Sequence, residues 1–116
     1  MRKESSSSVE IKYTNPAEVD AAVREWAESL RRNNSSVRRV IWFGSWTRGE
    51  FRPGSDVDAC LIVHASDRSP RERAAEFLPP RFPVGMDLFV YTEAEFANLE
   101  QSHPEWYAAI TSGIQV

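Results

Sequence analysis

Apolar residues recur along the chain at two different spacings, which predicts an alternation of helices and strands. Residues 16–32 carry an apolar stripe at spacings of three and four, which is typical of a helix with one buried face. The stripe consists of Val19, Val23, Trp26 and Leu30. Asn15 is suited to cap the first turn and Pro16 to occupy the first helical position. We therefore expect a helix at the start of the folded part.

Runs of β-branched and aromatic residues predict strands after this helix. They cover residues 37–44, 56–65, 84–92 and 113–116. Further helices, each with a capping residue or an early proline, are predicted at residues 69–78, 92–100 and 102–110. Three long strands are too few for a large doubly wound sheet, so we expect an α/β fold of the α+β kind. Its small mixed sheet should have helices packed mainly on one face.

Length and composition limit the chain to one small domain. It has 116 residues, of which 41% are hydrophobic, and a formal net charge of −3. The serine-rich residues 1–10 are expected to be a disordered tail, and residues 11–116 a single domain. The acidic balance and the lack of a basic stripe argue against nucleic-acid binding. No apolar run reaches membrane-spanning length, and the N-terminus lacks the apolar core of a signal peptide.

The single cysteine indicates a reducing cellular compartment rather than a disulfide or a zinc site. Cys60 lies in an apolar run and has no second thiol to pair with. We interpret it as a small buried hydrophobic residue of a protein in a reducing, cytoplasmic compartment. The two histidines, His64 and His103, are far apart and lack the spacing of zinc ligands. A structural zinc site is therefore not expected.

Three aspartates occupy positions that strand propensity disfavours. Asp56 and Asp58 are one residue apart at the start of the second strand, so their side chains point to the same face. Asp87 lies between apolar residues of the third strand, where an unpaired buried charge would be costly. Carboxylates from two neighbouring strands would suit Mg²⁺ or Mn²⁺. The alternative for Asp56 and Asp58 is a solvated strand end.

A glycine and a serine end the first strand. Gly44 would allow a phosphate to approach the backbone closely. The Ser45 hydroxyl and the N–H groups that follow could hold phosphate oxygens, more strongly if a helix begins there. Arg48 lies one turn further and could add positive charge to the same phosphates. The alternative is an ordinary turn between a strand and a helix.

Together these residues resemble the signature of the DNA polymerase β-like nucleotidyltransferase superfamily. Gly44 and Ser45 are followed by ten residues and then by Asp56, any residue and Asp58, with Asp87 on a later strand. The likeness runs through the stretch GSWTRGEFRPGSDVDACLIV and covers nearly the whole chain. The chain resembles the minimal nucleotidyltransferase (MNT-domain) proteins of the superfamily, which have the catalytic sheet and no second domain.

The resemblance implies the polymerase β-like fold, a reaction and a role for each of these residues. Asp56 and Asp58 would ligate two Mg²⁺ ions, for which Mn²⁺ could substitute. Asp87 would ligate the catalytic ion and could serve as the base for an acceptor hydroxyl. Gly44 and Ser45 would hold the triphosphate of ATP. The implied reaction is the transfer of AMP from ATP to that hydroxyl.

The resemblance also implies a partner. MNT proteins are often paired with small helical HEPN proteins in toxin–antitoxin systems, and the acceptor would then be a tyrosine of the toxin. Two alternatives stay open: an antitoxin that masks its partner with little catalysis, and a transferase that modifies a small molecule such as an antibiotic. Large aromatic residues could belong either to the core or to a partner surface. They are Trp42, Trp46, Phe51, Trp106 and Tyr107.

Overall fold

The computed structural model describes residues 15–52 and 54–116 as one series of helices and strands. The helices are α1 (Pro16–Asn33), α2 (Ser45–Arg48), α3 (Pro70–Phe77), α4 (Glu93–Ser102) and α5 (Pro104–Thr111). The strands are β1 (Val37–Phe43), β2 (Val57–Val63), β3 (Met86–Thr92) and β4 (Ile114–Gln115). The predicted elements appear in the predicted order, with the short helix α2 between β1 and β2. The tail expected at residues 1–10 lies outside the described residues.

The four strands form one mixed sheet in the order β3-β2-β1-β4. β1 is antiparallel to both β2 and β4, whereas β2 and β3 are parallel. A parallel pair needs a crossover between its strands, and α3 lies in that connection. The predicted mixed sheet is confirmed. Because β2 and β3 run side by side in the same direction, their first residues meet at one end of the sheet.

α1 begins where its capping residues predict. The Asn15 side chain accepts a hydrogen bond of 2.8 Å from the N–H of Ala17, and Pro16 fills the first helical position. The predicted apolar stripe is buried along its whole length, with Val19 and Val23 fully inaccessible to solvent. Burying one such side chain contributes about 1.5–3 kcal/mol, so the stripe is sufficient to hold α1 on the sheet.

Helices cover both faces of the sheet, so the expectation that they pack mainly on one face is wrong. On one face, α1 and α3 pack against Ala59, Leu61 and Val63 of β2. On the other face, α4 and α5 pack against Cys60 and Ile62. Every residue of β2 from Ala59 onward is buried, which means that both of its faces need cover. A helical stripe shows that a helix is buried but not which face of the sheet it covers.

Cys60 is a buried residue of the second face, as predicted. Burial raises the pKa of its thiol to about 12, against the opposing charge of Arg39. The thiol is therefore protonated and unreactive at neutral pH. Among the described residues, no helix combines the length and the apolar character that a membrane crossing requires.

Arg73 ties together helices that lie on opposite faces of the sheet. Its side chain is 6% exposed, and it donates to both carboxylate oxygens of Glu95, at 2.7 and 3.1 Å. It also donates to the carbonyl of Val90 in the edge strand β3, at 3.3 Å. Glu95 in turn accepts the N–H of Thr92, which completes the predicted capping box of α4. The pair thus joins α3 to the start of α4 around the edge of the sheet.

Candidate functional site

The three aspartates meet where β2 and β3 begin. Asp58 is in register with Asp87 on the neighbouring parallel strand, so the two side chains leave the same face of the sheet. Asp56 directly precedes β2 and is two residues from Asp58. Their face is the one that α4 and α5 cover further along the strands, and α1 packs on the opposite face. The predicted placement of the carboxylates on two neighbouring strands is confirmed.

Gly44 brings the end of β1 against the carboxylate of Asp58. Phe43 pairs with Asp58 across the antiparallel strands, so the residue after Phe43 passes close to that side chain. The backbone of Gly44 has a φ of 88° and a ψ of −163°, a conformation that only glycine adopts readily. A Cβ at this position would lie 3.0 Å from Asp58 Cγ and would overlap its Oδ2. Glycine is therefore required for conformation and for space.

Gly85 lies as close to the Asp56 side chain as Gly44 does to that of Asp58, and it was not among the predicted site residues. A Cβ added at Gly85 would lie 3.0 Å from Asp56 Cγ and would overlap its Oδ1. The carbonyl of Gly85 accepts the N–H of Val57 at 2.9 Å, which fixes the chain next to Asp56. The signal was a glycine two residues before Asp87. Its meaning depends on the parallel register of β2 and β3, which no local pattern reveals.

Asp58 lies at the electrostatic centre of the group. Burial first, and then the negative charges of Asp87 and Asp56, raise the pKa of the Asp58 carboxyl above its usual range, while Arg48 opposes the shift. Asp58 is half-buried, whereas Asp56 and Asp87 are exposed. The burial expected for Asp87 from its apolar neighbours is therefore wrong, because Asp87 lies near the beginning of an edge strand. Asp58, and not Asp87, is the carboxylate that loses solvation in the folded state.

Ser45 and Arg48 begin and end the single turn of α2, so a helix does start at the serine. A helix of four residues aligns few peptide dipoles, which leaves the individual N–H groups and the Ser45 hydroxyl as the groups that could hold a phosphate. The Arg48 Nε donates to Glu50 at 2.8 Å, and both side chains are more than half exposed. Such a pair contributes at most about 1 kcal/mol, so another anion could displace Glu50.

The donor set fits a divalent cation, although it is not closed around one. Carboxylate oxygens are the hard ligands that Mg²⁺ and Mn²⁺ prefer. A cation here would offset the repulsion that raises the pKa of Asp58. In residues 15–52 and 54–116, no three Asp, Glu, His or Cys side chains are close enough together to form a complete metal site. The fit to a cation therefore rests on the shared face of Asp58 and Asp87 and on the charge coupling of Asp58 to Asp87 and Asp56.

A cavity of about 580 Å³ lies elsewhere, between α1 and residues 79–82. Its lining includes Trp26, Arg32 and Phe82 and none of the three aspartates. The volume alone indicates no chemistry, although Glu25, Glu28 and Arg81 also line the cavity. We therefore place the candidate site at the open end of the sheet, where the carboxylates and Gly44 come together.

Comparison with protein families identifies the family of the chain. The description of the matching family is "Nucleotidyltransferase domain", and its profile matches residues 23–105. The chain belongs to this nucleotidyltransferase family. The matched range contains every site residue predicted from the sequence: Gly44, Ser45, Arg48, Asp56, Asp58 and Asp87. In this nucleotidyltransferase, Asp58 lies against Gly44 and is coupled by charge to Asp87 and Asp56, while the head group of Arg48 is paired with Glu50.

Comparison with solved structures agrees on the fold. The nucleotidyltransferase is similar to a protein from Sulfolobus solfataricus, described as a "putative nucleotidyltransferase" in its crystal structure at 1.40 Å resolution. The TM-score is 0.57, the sequence identity is 19%, and the match covers 82% of each chain. At this identity the likeness shows the fold alone, and it confirms the predicted fold class. The comparison with curated proteins found no match.

Proposed function

We propose that the chain is a Mg²⁺-dependent nucleotidyltransferase that transfers AMP from ATP to a hydroxyl group. Membership of the nucleotidyltransferase family supports the general reaction. The observation that carries the proposal is that the Asp58 carboxylate lies against Gly44, whose backbone only glycine adopts readily, and is coupled by charge to Asp87 and Asp56. Cations held by the carboxylates would lie beside Gly44, where phosphate groups can approach the main chain closely.

The residues of the site divide the reaction between them. Asp56, Asp58 and Asp87 would hold the metal ions, which would neutralise charge on the phosphates and lower the pKa of the acceptor hydroxyl. Asp87 accepts the proton of that hydroxyl as its oxygen forms a bond to the α-phosphorus. The bond from the α-phosphorus to the bridging oxygen breaks, and pyrophosphate leaves. Gly44 and Ser45 hold the departing phosphates through N–H and hydroxyl groups.

The proposed acceptor is a tyrosine of a small helical HEPN-type toxin in the cytoplasm. The resemblance to MNT proteins supports this choice, and the single buried thiol of Cys60 is compatible with a reducing compartment. Trp42 and Trp46 are buried, so these two aromatic residues belong to the core. Trp106 and Tyr107 are half-buried on the same face of the sheet as the aspartates. Of the aromatic residues considered, these two are the better placed to contact a partner near the site.

Intact-mass spectrometry tests the proposal. The co-expressed HEPN-type partner is incubated with the protein, ATP and Mg²⁺, and its mass should increase by one AMP. The Asp58→Asn variant and an ATP analogue with a non-cleavable bond between the α- and β-phosphates should both give no increase. An unchanged partner mass with the wild-type protein would contradict transfer to that partner. A gain of a phosphate instead of AMP would contradict nucleotidyl transfer.

A further inference from the structure

Trp46 links the two halves of the candidate site. It lies one residue after Ser45 in α2 and is 8% exposed. Its indole N–H donates a hydrogen bond of 2.9 Å to the carbonyl of Ser55, the residue immediately before Asp56. Its ring stacks on Phe51 with centroids 4.0 Å apart and planes 7° from parallel. The Trp46 side chain therefore contacts the loop between the Gly44–Ser45 turn and Asp56 at two residues, Phe51 and Ser55.

The backbone around Asp56 is held from both sides. Before it, the carbonyl of Ser55 is bound by Trp46, and after it, the N–H of Val57 is bound by the carbonyl of Gly85. Ser55 also closes a turn on Arg52, donating its N–H to the Arg52 carbonyl and accepting the Arg52 N–H through its hydroxyl. Asp56 itself is exposed, and its carboxylate lies against the backbone of Gly85 rather than among other side chains. Its position depends on these backbone contacts.

We propose that Trp46 is a positioning residue, which sets the distance between the Gly44–Ser45 phosphate turn and Asp56 through its hydrogen bond to Ser55 and its stack on Phe51. This rests on the proposed function of the same site. A cation that bridges a phosphate and a carboxylate requires the two to be held within a few tenths of an ångström of the productive geometry. The Trp46 side chain acts through the loop that carries Asp56.

Trp26 supplies a matched control within the same chain. It is also 8% exposed, and its indole N–H also donates to a backbone carbonyl, that of Phe77, at 3.0 Å. That bond joins α1 to the end of α3 and involves no residue of the candidate site. Replacing either tryptophan with phenylalanine removes one indole donor from a similarly buried position. The two variants should therefore lose similar stability, and only one should lose ligand affinity.

The experiment measures Mg²⁺–ATP affinity by calorimetry for the wild type, Trp46→Phe and Trp26→Phe, well below each melting temperature. Trp46→Phe should weaken binding about tenfold, which corresponds to about 1.4 kcal/mol, while Trp26→Phe should bind like the wild type. Phe51→Leu, which removes the stack and keeps the indole donor, should also weaken binding, and Phe51→Tyr should restore it. If Trp46→Phe does not fold, the Phe51 variants decide the matter.

Asp58→Asn separates the two proposals. If the wild type binds Mg²⁺–ATP and Asp58→Asn does not, the metal site stands. Equal affinities of Trp46→Phe and Trp26→Phe would then overturn the positioning role alone, as would unchanged binding by Phe51→Leu. If the wild type and Asp58→Asn bind Mg²⁺–ATP equally, the proposed function fails, and the role of Trp46 fails with it.

Discussion

Asp58 lies directly beside Asp87, in register across the parallel strands β2 and β3. Neighbouring strands are about 4.8 Å apart, so their side chains on one face are immediate neighbours. Burial and the nearby carboxylates raise the pKa of Asp58, which means that the ionised site is destabilised by its own charge. A bound cation would replace that repulsion by coordination. The free energy of unfolding should therefore depend on pH, on metal and on the charge of this side chain.

Replacing Asp58 with asparagine should stabilise the protein at neutral pH in metal-free buffer. Because the pKa of Asp58 is raised in the folded state, its stabilising contribution is present below the unfolded pKa and is lost as pH rises through the folded pKa. Asparagine cannot ionise, so the gain grows as pH rises from the unfolded pKa through the folded pKa, and it levels off above the folded pKa at up to about 1 kcal/mol.

Urea unfolding of both proteins from acidic to neutral pH measures this difference. Asp67→Asn is the control, because Asp67 is exposed in the segment after β2 and is not among the charges that shift Asp58. Curves for wild type and Asp58→Asn that coincide at every pH would argue against charge repulsion at the site.

Mg²⁺ with ATP should raise the melting temperature of the wild type and leave that of Asp58→Asn unchanged. A ligand that binds only the folded state stabilises it by mass action, by about 2.7 kcal/mol at a hundred times the dissociation constant. Removing the metal with a chelator should reverse the shift. Thermal unfolding with metal alone, ATP alone and both together measures the effect. A wild type that responds to none of them would count against the metal site.

Gly44→Ala should abolish ATP binding, whereas Gly49→Ala should not. Both glycines have positive φ, 88° and 73°, so each alanine strains the backbone by about 1 kcal/mol or more. Only the Cβ at Gly44 would overlap the carboxylate of Asp58, because nothing lies within 4 Å of the Cβ position at Gly49. Calorimetry with Mg²⁺–ATP on both variants separates the effect of a Cβ in the nucleotide site from the effect of backbone strain, which both variants share. Equal nucleotide affinity in the two variants would show that Gly44 does not line the nucleotide site.

Glu95→Gln should destabilise the protein, and the loss should disappear at low pH. The hydrogen bonds from Arg73 are the main cause that lowers the pKa of Glu95, so their stabilisation is present above the usual pKa of glutamate and is lost as pH falls through the folded value. We expect a cost of about 1 kcal/mol, because the buried guanidinium of Arg73 loses a charged partner while the exposure of Glu95 screens the pair.

Chemical unfolding at neutral and acidic pH measures the loss in Glu95→Gln. Glu93→Gln is the matched control, since Glu93 pairs with Arg38 and His64 at the surface, where ion pairs contribute little. Equal stabilities of the two variants at neutral pH would contradict a structural role for the Arg73–Glu95 pair.

Local rules were enough to predict the elements and the principal carboxylates. Asn15 and Thr92 cap helices through short-range hydrogen bonds that are encoded within three residues. The spacing of Asp56 and Asp58 sets their common face through the alternation of a strand. These features depend on neighbours in the sequence, and the structure reproduces them.

Features that depend on distant segments could not be predicted in the same way. The close approach of Gly85 to the Asp56 side chain arises from the parallel register of β2 and β3. The hydrogen bond between Trp46 and Ser55 arises from the path of a loop. The exposure of Asp87 depends on β3 being an edge strand, which its apolar sequence does not reveal. In each case the relevant contact joins residues that no periodicity brings together.

The double variant Asp56→Asn with Asp58→Asn should distinguish an enzymatic antitoxin from one that masks its partner. Neutral amides cannot gather two divalent cations or offset their charge, so the variant should transfer no AMP. Both residues lie near the open end of the sheet, and the apolar cores on the two faces do not include them. Partner binding should therefore persist, as a pull-down or calorimetry with the HEPN-type partner would measure.

Measuring toxin activity in the presence of this variant distinguishes an enzymatic antitoxin from a masking one. If neutralisation requires transfer of AMP, the variant should bind the toxin and fail to silence it, and an excess of variant should compete with the wild type. If neutralisation is masking, the variant should silence the toxin as well as the wild type does. The second outcome would contradict the proposed catalytic role in neutralisation. The first, together with the AMP-sized mass gain in the wild type, would establish that silencing passes through Asp56 and Asp58.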